Sequence, residues 1–203
     1  MKRLATFSIF LLGGVWCLQS VFAGEKVSAK IGVQVLSGDL IKRARTHDRL
    51  KKNDRLRIYV EPAFDGFVYV VYKGPDEVTL LSPQSDASLK KGRRMTLPSA
   101  KEYYEIDGES ALESFTIICS PESLEEVANY FSNDERTQAE WLQIERRLSE
   151  KSKIDLHQKA AKPFGVAGNV RTPEEEEERL VGEFKQLFGN GMIVQSYEFR
   201  VKK

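Results

Sequence analysis

The chain has 203 residues, with 31 basic and 30 acidic side chains, two histidines and two cysteines. This even balance gives no electrostatic case for binding nucleic acid or an anionic membrane surface. The length is sufficient for one domain with a substantial hydrophobic core.

The first 23 residues have the three parts of a secretory signal peptide. Lys2 and Arg3 form the basic start, residues 4–18 are apolar, and Val21-Phe22-Ala23 provides the cleavage pattern. Cleavage after Ala23 leaves residues 24–203. The signal carries two basic residues and no acid, so this mature chain has 31 − 2 = 29 basic against 30 acidic residues, a formal charge of −1.

The sequence disfavours two alternatives to cleavage at Ala23. An uncleaved membrane anchor is disfavoured because the apolar run is short and is interrupted by Ser8 and by Gly13-Gly14. A lipoprotein modified at Cys17 is disfavoured because Trp16 stands where lipid-modifying processing requires a small residue. We therefore predict a periplasmic or secreted protein, with no transmembrane segment after cleavage.

The N-terminal half of the mature chain shows the patterns of β-strands. Val27–Leu36 alternates and predicts a first strand, with residues 27, 29, 31, 33 and 35 on one face. The basic stretch Ser37–Asn53 predicts a solvated loop or edge, with binding of acidic partners as the less favoured alternative. The next stretch, Lys52–Pro83, predicts an antiparallel meander and the seed of a β-sandwich. Its three apolar runs, separated by turn residues, are Leu56–Val60, Phe67–Tyr72 and Val78–Leu81.

Further strands follow the meander. Arg93–Leu97, ended by Pro98, and Lys101–Ile106 predict short edge strands, and Ala111–Cys119 predicts a longer one. Phe67–Tyr72 is apolar on both faces, which is typical of a central strand covered on both sides. The core positions predicted to be largely buried are Tyr69, Val71, Leu80 and Ile117.

Helix signals begin after the last of these strands. Ser120-Pro121-Glu122 predicts a helix to about Tyr130, and Ser132–Glu135 fits a capping box for a second helix to about Glu150. That second helix has a narrow apolar stripe of Trp141, Ile144 or Glu145, and Leu148. Lys151–Arg171 predicts an exposed loop. Thr172–Phe188 predicts a third helix with Glu174–Glu178 in its first turns, where a cation or basic-partner site is the less favoured alternative.

The last apolar pattern fixes the predicted architecture. Met192–Val201 alternates, and its apolar face would cost roughly 1.5–3 kcal/mol per large side chain if it stayed in water. We therefore predict that it returns to pair with a strand of the Val27–Cys119 region, near the first strand. The predicted fold is mainly β with added helices. It is an antiparallel β-sandwich in one domain, residues 24–203, with a helical excursion over 122–188 and a returning last strand.

No catalytic, cofactor-binding or metal-ligating residues are predicted. His47 and His157 have no ligand partners at zinc spacing. Cys119 lies in phase with Phe115 and Ile117, which favours a small buried side chain over a nucleophile or an intermolecular thiol. Glutamates are abundant, but no carboxylate pair is singled out by spacing.

Several of these residues resemble a bacterial family of unknown function, a small β-rich domain of exported proteins that is also fused behind caspase-like and protein-kinase domains. The resemblance covers about Val27–Pro121, and Ser82 stands where the family often has phenylalanine. Because the family brings no accepted catalytic residues, the resemblance implies a noncatalytic module. The segments that carry it are Asp54–Ile58, Asp65–Val70, Val78–Pro83, Leu97-Pro98, Gly108-Glu109 and Ile117–Pro121.

The leading hypothesis is a noncatalytic interaction or assembly module whose partner is another envelope or secreted protein. The alternative is a hydrolase of envelope polymers that uses a carboxylate pair. A hydrolase requires a deep cleft with two converging acids, one with a raised pKa. An interaction module should instead present a flat or edge-strand surface with accessible aromatic side chains.

Overall fold

The computed structural model describes residues 25–83, 88–152, 179 and 181–202, and within them the prediction of a β-sandwich with added helices is confirmed. The predicted signal peptide lies outside these ranges. The first six strands are β1 (Lys26–Ser37), β2 (Leu40–Arg43), β3 (Arg49–Lys51), β4 (Arg55–Pro62), β5 (Phe67–Lys73) and β6 (Val78–Leu80). The remaining elements are β7 (Met95–Leu97), β8 (Tyr104–Glu105), β9 (Leu112–Ser120), α1 (Glu125–Ser132), α2 (Gln138–Ser152), β10 (Lys185–Asn190) and β11 (Ile193–Lys202).

Two sheets form the sandwich. The first has the strand order β10-β1-β4-β7, with β2 also paired to β1 and β8 to β4. The second has the order β3-β11-β9-β5-β6. The β3–β11 pair is parallel, whereas the other paired strands of the two sheets are antiparallel.

The main core lies between the two sheets. All five predicted inward positions of β1 belong to it, so the assignment of the first strand is confirmed. Leu56, Ile58 and Val60 of β4 lie beside them in the first sheet. The second sheet contributes the buried side chains Leu50, Val68, Val70, Phe115, Ile117, Cys119, Ile193, Phe199 and Val201.

The predicted meander is wrong in one respect, because β4 and β5 belong to different sheets. β4 ends at Pro62, which has no backbone N–H for further pairing, and Ala63 N–H donates to the Ser28 carbonyl (2.8 Å). The chain then crosses to the second sheet. A side chain at Gly66 would overlap the Ser120 carbonyl oxygen, so only glycine permits this approach. The β5–β6 hairpin is confirmed.

The outward face of β4 is also buried, although its polar residues predicted a half-buried strand. Arg57 is 2% exposed and lies under the ring of Tyr103, with 3.8 Å from the guanidinium carbon to the ring centroid. It donates to the Glu102 carbonyl (3.1 Å) and the Tyr59 hydroxyl (3.3 Å). That hydroxyl donates to Gln34 Oε1 (2.5 Å). Hydrogen bonding thus allows polar side chains to occupy a covered face.

The two helices cover the outer face of the second sheet. Trp141, Ile144 and Leu148 are buried, which confirms the predicted stripe of α2. They form a second core together with Val71 and Ile118, so β5 is covered on both sides as predicted. Val71 and Ile117 are fully buried as predicted, whereas Tyr69 and Leu80 are only partly buried.

Both helices begin later than predicted. Ser120 is still part of β9, where it pairs with Phe67, so α1 starts at Glu125. Ser132 is the last residue of α1 and does not cap α2. The capping box is formed by Thr137 and Glu140, because Glu140 Oε2 accepts from Thr137 N–H (2.9 Å) and Thr137 Oγ1 accepts from Glu140 N–H (3.3 Å).

The C-terminal segment differs from the predicted helix. Residues 181–182 are helical, but Lys185–Asn190 is strand β10, paired with β1. The spacing of Leu187 and Phe188 fits a helix, yet pairing with an available edge of β1 decides the conformation. The predicted loop 151–171 and the start of the predicted third helix lie outside the described residues, apart from Lys151 and Ser152, which end α2.

The return of the last strand is confirmed, but its predicted neighbour is wrong. β11 pairs with β9 and β3 in the second sheet, with Ile193 opposite Cys119 and Arg200 opposite Leu112. β1 pairs instead with β10, β4 and β2. Neither helix of the described residues has the length and hydropathy needed to cross a membrane.

Candidate binding groove

A groove of about 590 Å³ opens where β5, α1 and the segment leading into β7 meet. We call it the aromatic groove because three half-buried aromatic side chains line it: Phe67, Tyr69 and Phe131. Aliphatic side chains complete the floor, among them Leu80, Leu89 and Met95.

The aromatic side chains are held in place by the fold. Tyr69 alternates with the core residues of β5 and therefore projects from the outer face of the sheet. Its hydroxyl accepts from Leu124 N–H (3.0 Å) at the start of α1, so it also anchors that helix. Phe131 packs edge-on against Tyr130, with 4.9 Å between ring centroids, and lies 5.7 Å from the ring of Trp141. The groove is therefore preformed.

Two arginines give one side of the groove a positive charge. Arg94 forms an ion pair with Glu61, with 3.4 Å between Nη2 and Oε2. Arg93 forms no side-chain ion pair with any residue in the described ranges. Lys90, nearby in sequence, pairs with Asp65 (2.9 Å). Among the described residues, no aspartate or glutamate lines the groove. A ligand that combines apolar groups with a negative charge would match this surface.

Cys119 and His47 do not line the groove. Cys119 is fully buried in the main core, and burial raises the pKa of its thiol to about 12, as expected for an inert side chain. His47 is exposed, with Nδ1 3.7 Å from Glu198. His157 lies outside the described residues. Among the residues that are described, no three His, Cys, Asp or Glu side chains converge as metal ligands.

Glu113 is a buried acid with a raised pKa, which is one property expected of a hydrolase carboxylate. Glu113 of β9 is 4% exposed, and burial, with a smaller effect of the Asp107 charge, raises the pKa of its carboxyl group. The Tyr72 hydroxyl donates to it and acts in the opposite direction. Neither the aromatic groove nor a second cavity described below is lined by Glu113 or Asp107.

The raised pKa of Glu113 predicts a pH-dependent effect on stability. The folded protein holds this proton more tightly than the unfolded chain, so stability is lost as pH rises above the ordinary glutamate pKa, about 4.3. Glu113→Gln keeps an acceptor for Tyr72 and removes the charge. We expect the variant to unfold at higher urea concentration than the unmodified chain at pH 7, and at the same concentration near pH 3.5.

Glu109→Gln is the control for that measurement, because Glu109 is exposed and lies four residues earlier in the chain. It should leave the urea midpoint unchanged at both pH values. If Glu113→Gln raised the urea midpoint as much at pH 3.5 as at pH 7, the difference would come from the shape of the side chain and not from its charge.

Comparisons with known proteins found no match to the chain among family models, curated proteins or solved structures. The resemblance to an exported β-rich family stays a prediction. The residue that departs from that family has a clear local role, because Ser82 is buried and its Oγ accepts from Val70 N–H (3.2 Å).

The sequence predicts no site at the groove residues. Phe67 and Tyr69 lie in a predicted strand, and Phe131 follows a helix that is predicted to end at about Tyr130. Arg93 and Arg94 lie at the start of a predicted edge strand. Only the packing of α1 beside β5 brings these side chains together. The adjacent arginines of the Arg93-Arg94-Met95 sequence were the one available signal, and such pairs are common on solvated surfaces.

Proposed function

We propose that this protein is a noncatalytic, exported interaction module that binds an extended segment of another exported protein in the aromatic groove. The observation that carries the proposal is the juxtaposition of Phe67, Tyr69 and Phe131 with Arg93, whose side chain forms no ion pair within the described residues. Aromatic side chains and arginines are the residues that most often dominate binding energy at protein interfaces.

The chemistry of the groove defines the partner segment. Its floor is apolar, so the partner should insert at least one large apolar side chain. The arginine side favours an acidic residue next to that apolar group. We therefore expect a short segment in which aromatic or aliphatic residues alternate with aspartate or glutamate.

The hydrolase alternative has weaker support. It requires two acids that face substrate in a cleft, and Glu113, whose pKa is raised, is buried near the start of β9. Its contact with Tyr72 gives it a structural partner within the fold. A carboxylate role in catalysis would need substrate access to Glu113, and the two cavities have other linings.

Export makes a direct prediction about the N-terminus of the mature protein. In the native host, we expect the chain to start at Gly24 and to be recovered without detergent from periplasmic or culture fractions. Mass spectrometry of the intact protein measures this. A lipid-modified N-terminus at Cys17, or retention of residues 1–23, would contradict the proposed processing.

Site-specific photocrosslinking tests the binding groove. We expect a benzoylphenylalanine placed at Phe131 to crosslink the full exported chain to a discrete partner protein in the envelope. Arg93→Glu reverses the charge at the groove and should reduce the yield of that product at least several-fold, because the acidic partner is repelled. Gel analysis followed by mass spectrometry measures the yield and maps the partner segment.

Leu142 provides the matched control for the crosslinker. It is 46% exposed on α2 and lies outside the groove lining. Benzoylphenylalanine at Leu142 should not give the same product. Equal products from both positions, or a yield from position 131 that is insensitive to Arg93→Glu, would refute the groove as the binding surface.

A further inference from the structure

A second cavity, of about 440 Å³, lies where the edge of the first sheet approaches β11 of the second. We call it the basic cavity. Its apolar part is formed by Ile31 of β1, Leu187 of β10 and the ring of Tyr197. It shares no lining residue with the aromatic groove. Its volume is within the range of sites that hold small organic molecules, about 300–1,000 Å³.

Of the residues that the structure describes, three cationic side chains and no acidic one line the basic cavity: Arg43, Arg45 and Lys185. Arg43 is held in position because it donates to the Glu183 carbonyl (2.6 Å), which leaves further guanidinium N–H groups for a ligand. Neither Arg45 nor Lys185 forms a side-chain ion pair with a residue in the described part of the chain.

The nearby acids are engaged elsewhere. Asp48 accepts from Arg45 N–H (2.8 Å), and Glu198 lies 3.7 Å from His47. The Glu183 carboxylate pairs with Arg179. None of these three acids forms an ion pair with Arg43, Arg45 or Lys185.

The remaining polar groups can donate hydrogen bonds. Burial raises the pKa of Tyr197 to about 12, with the charge of Arg43 acting in the opposite direction, so the phenol keeps its proton at neutral pH. Thr46 Oγ1 accepts from Glu198 N–H (3.3 Å), which leaves its own O–H free to donate to a ligand. Gln195 adds an amide, although one of its N–H groups already donates to the Ser196 carbonyl (2.8 Å).

We propose that the basic cavity binds a small organic anion. Its carboxylate or phosphate group would lie among Arg43, Arg45 and Lys185, and its carbon skeleton would pack on Ile31 and Leu187. Charge-assisted hydrogen bonds from a guanidinium fork and neighbouring donors are the usual means of recognising such groups. An inorganic ion alone would leave the apolar wall unused.

Isothermal titration of the mature chain tests this site with two probes, citrate and glucose 6-phosphate, and with glucose as the neutral control. We expect saturable binding of at least one anion below about 5 mM, and none of glucose. The better probe identifies the anionic group that the cavity prefers. Arg45→Gln and Lys185→Gln alter exposed side chains and should fold, and each should weaken binding about tenfold.

Two further variants separate a specific site from general attraction. Arg43→Lys keeps the charge but loses the planar fork, and it should also weaken binding. Arg93→Gln removes one positive charge from the aromatic groove and should leave probe binding unchanged, while Arg45→Gln should leave the crosslink from position 131 unchanged. No saturable binding of either anion up to about 5 mM would overturn the proposal. An equal loss of affinity in Arg93→Gln would also overturn it.

Discussion

Removal of the last strand should abolish cooperative folding of the whole protein. A chain that ends at Gly189 loses β11, which lies between β3 and β9 inside the second sheet. It also loses four buried side chains: Ile193, Val194, Phe199 and Val201. At roughly 1.5–3 kcal/mol each, their burial contributes roughly 6–12 kcal/mol, which is comparable to the total stability of a typical domain, about 5–15 kcal/mol. Thermal unfolding followed by circular dichroism would show no cooperative transition.

The matched control is a chain that ends at Val201, which removes only Lys202 and Lys203. It keeps every buried side chain of β11 and should melt within a few degrees of the full chain, because each surface substitution typically changes stability by less than about 0.5 kcal/mol. If the chain that ends at Gly189 stayed soluble and melted cooperatively at the full-length temperature, β11 would be an appendage.

Strands in which apolar and polar side chains alternate were predictable from the sequence. β1, β9 and β11 each have mostly apolar side chains at every second position, so period-2 alternation was sufficient. The sheet to which each strand belongs was not predictable from that pattern. β4 and β5 look like a hairpin in sequence, but both have two buried faces, and only the close approach of Gly66 to β9 shows where the chain crosses.

The predicted start of α2 is wrong because two helix-start signals lie within a few residues of each other. Ser132-Asn133-Asp134-Glu135 and Thr137-Gln138-Ala139-Glu140 both have the form of a capping box. The second is used because Trp141 and Leu148 must face Val71 and Ile118 while α1 still extends to Ser132. Tertiary packing therefore selects between signals that are equivalent locally.

The candidate sites were less predictable than the fold, because each collects residues from distant parts of the chain. The basic cavity joins Arg43 and Arg45 to Lys185 across about 140 residues of sequence. The basic stretch Ser37–Asn53 predicts a solvated loop or edge, and binding of acidic partners is the less favoured alternative. Pairing of β10 with β1 places a third cation, Lys185, beside Arg43 and Arg45. The predicted helix over Lys185 gave no indication of this position.

Replacement of Val71 by aspartate should unfold the protein at neutral pH. Val71 is 1% exposed and belongs to the second core, between β5 and the two helices. An ionised carboxylate at this position is transferred from water to an apolar environment. This transfer should lower the free energy of unfolding by about 3 kcal/mol or more. That is a large fraction of the stability of a typical domain. Urea unfolding at pH 7 would show a large decrease in the midpoint or a chain that is already unfolded.

Val71→Asn separates the charge from the change in polarity, because asparagine has nearly the shape of aspartate without its ionisation. Burial should raise the pKa of the introduced aspartate, so its penalty relative to asparagine should grow as pH rises above about 4 and vanish below it. The difference between the urea midpoints of Val71→Asp and Val71→Asn, measured from pH 3 to pH 7, reports this penalty. A Val71→Asp variant that keeps the midpoint of the unmodified chain at pH 7 would show that β5 is not enclosed by the sheet and the helices.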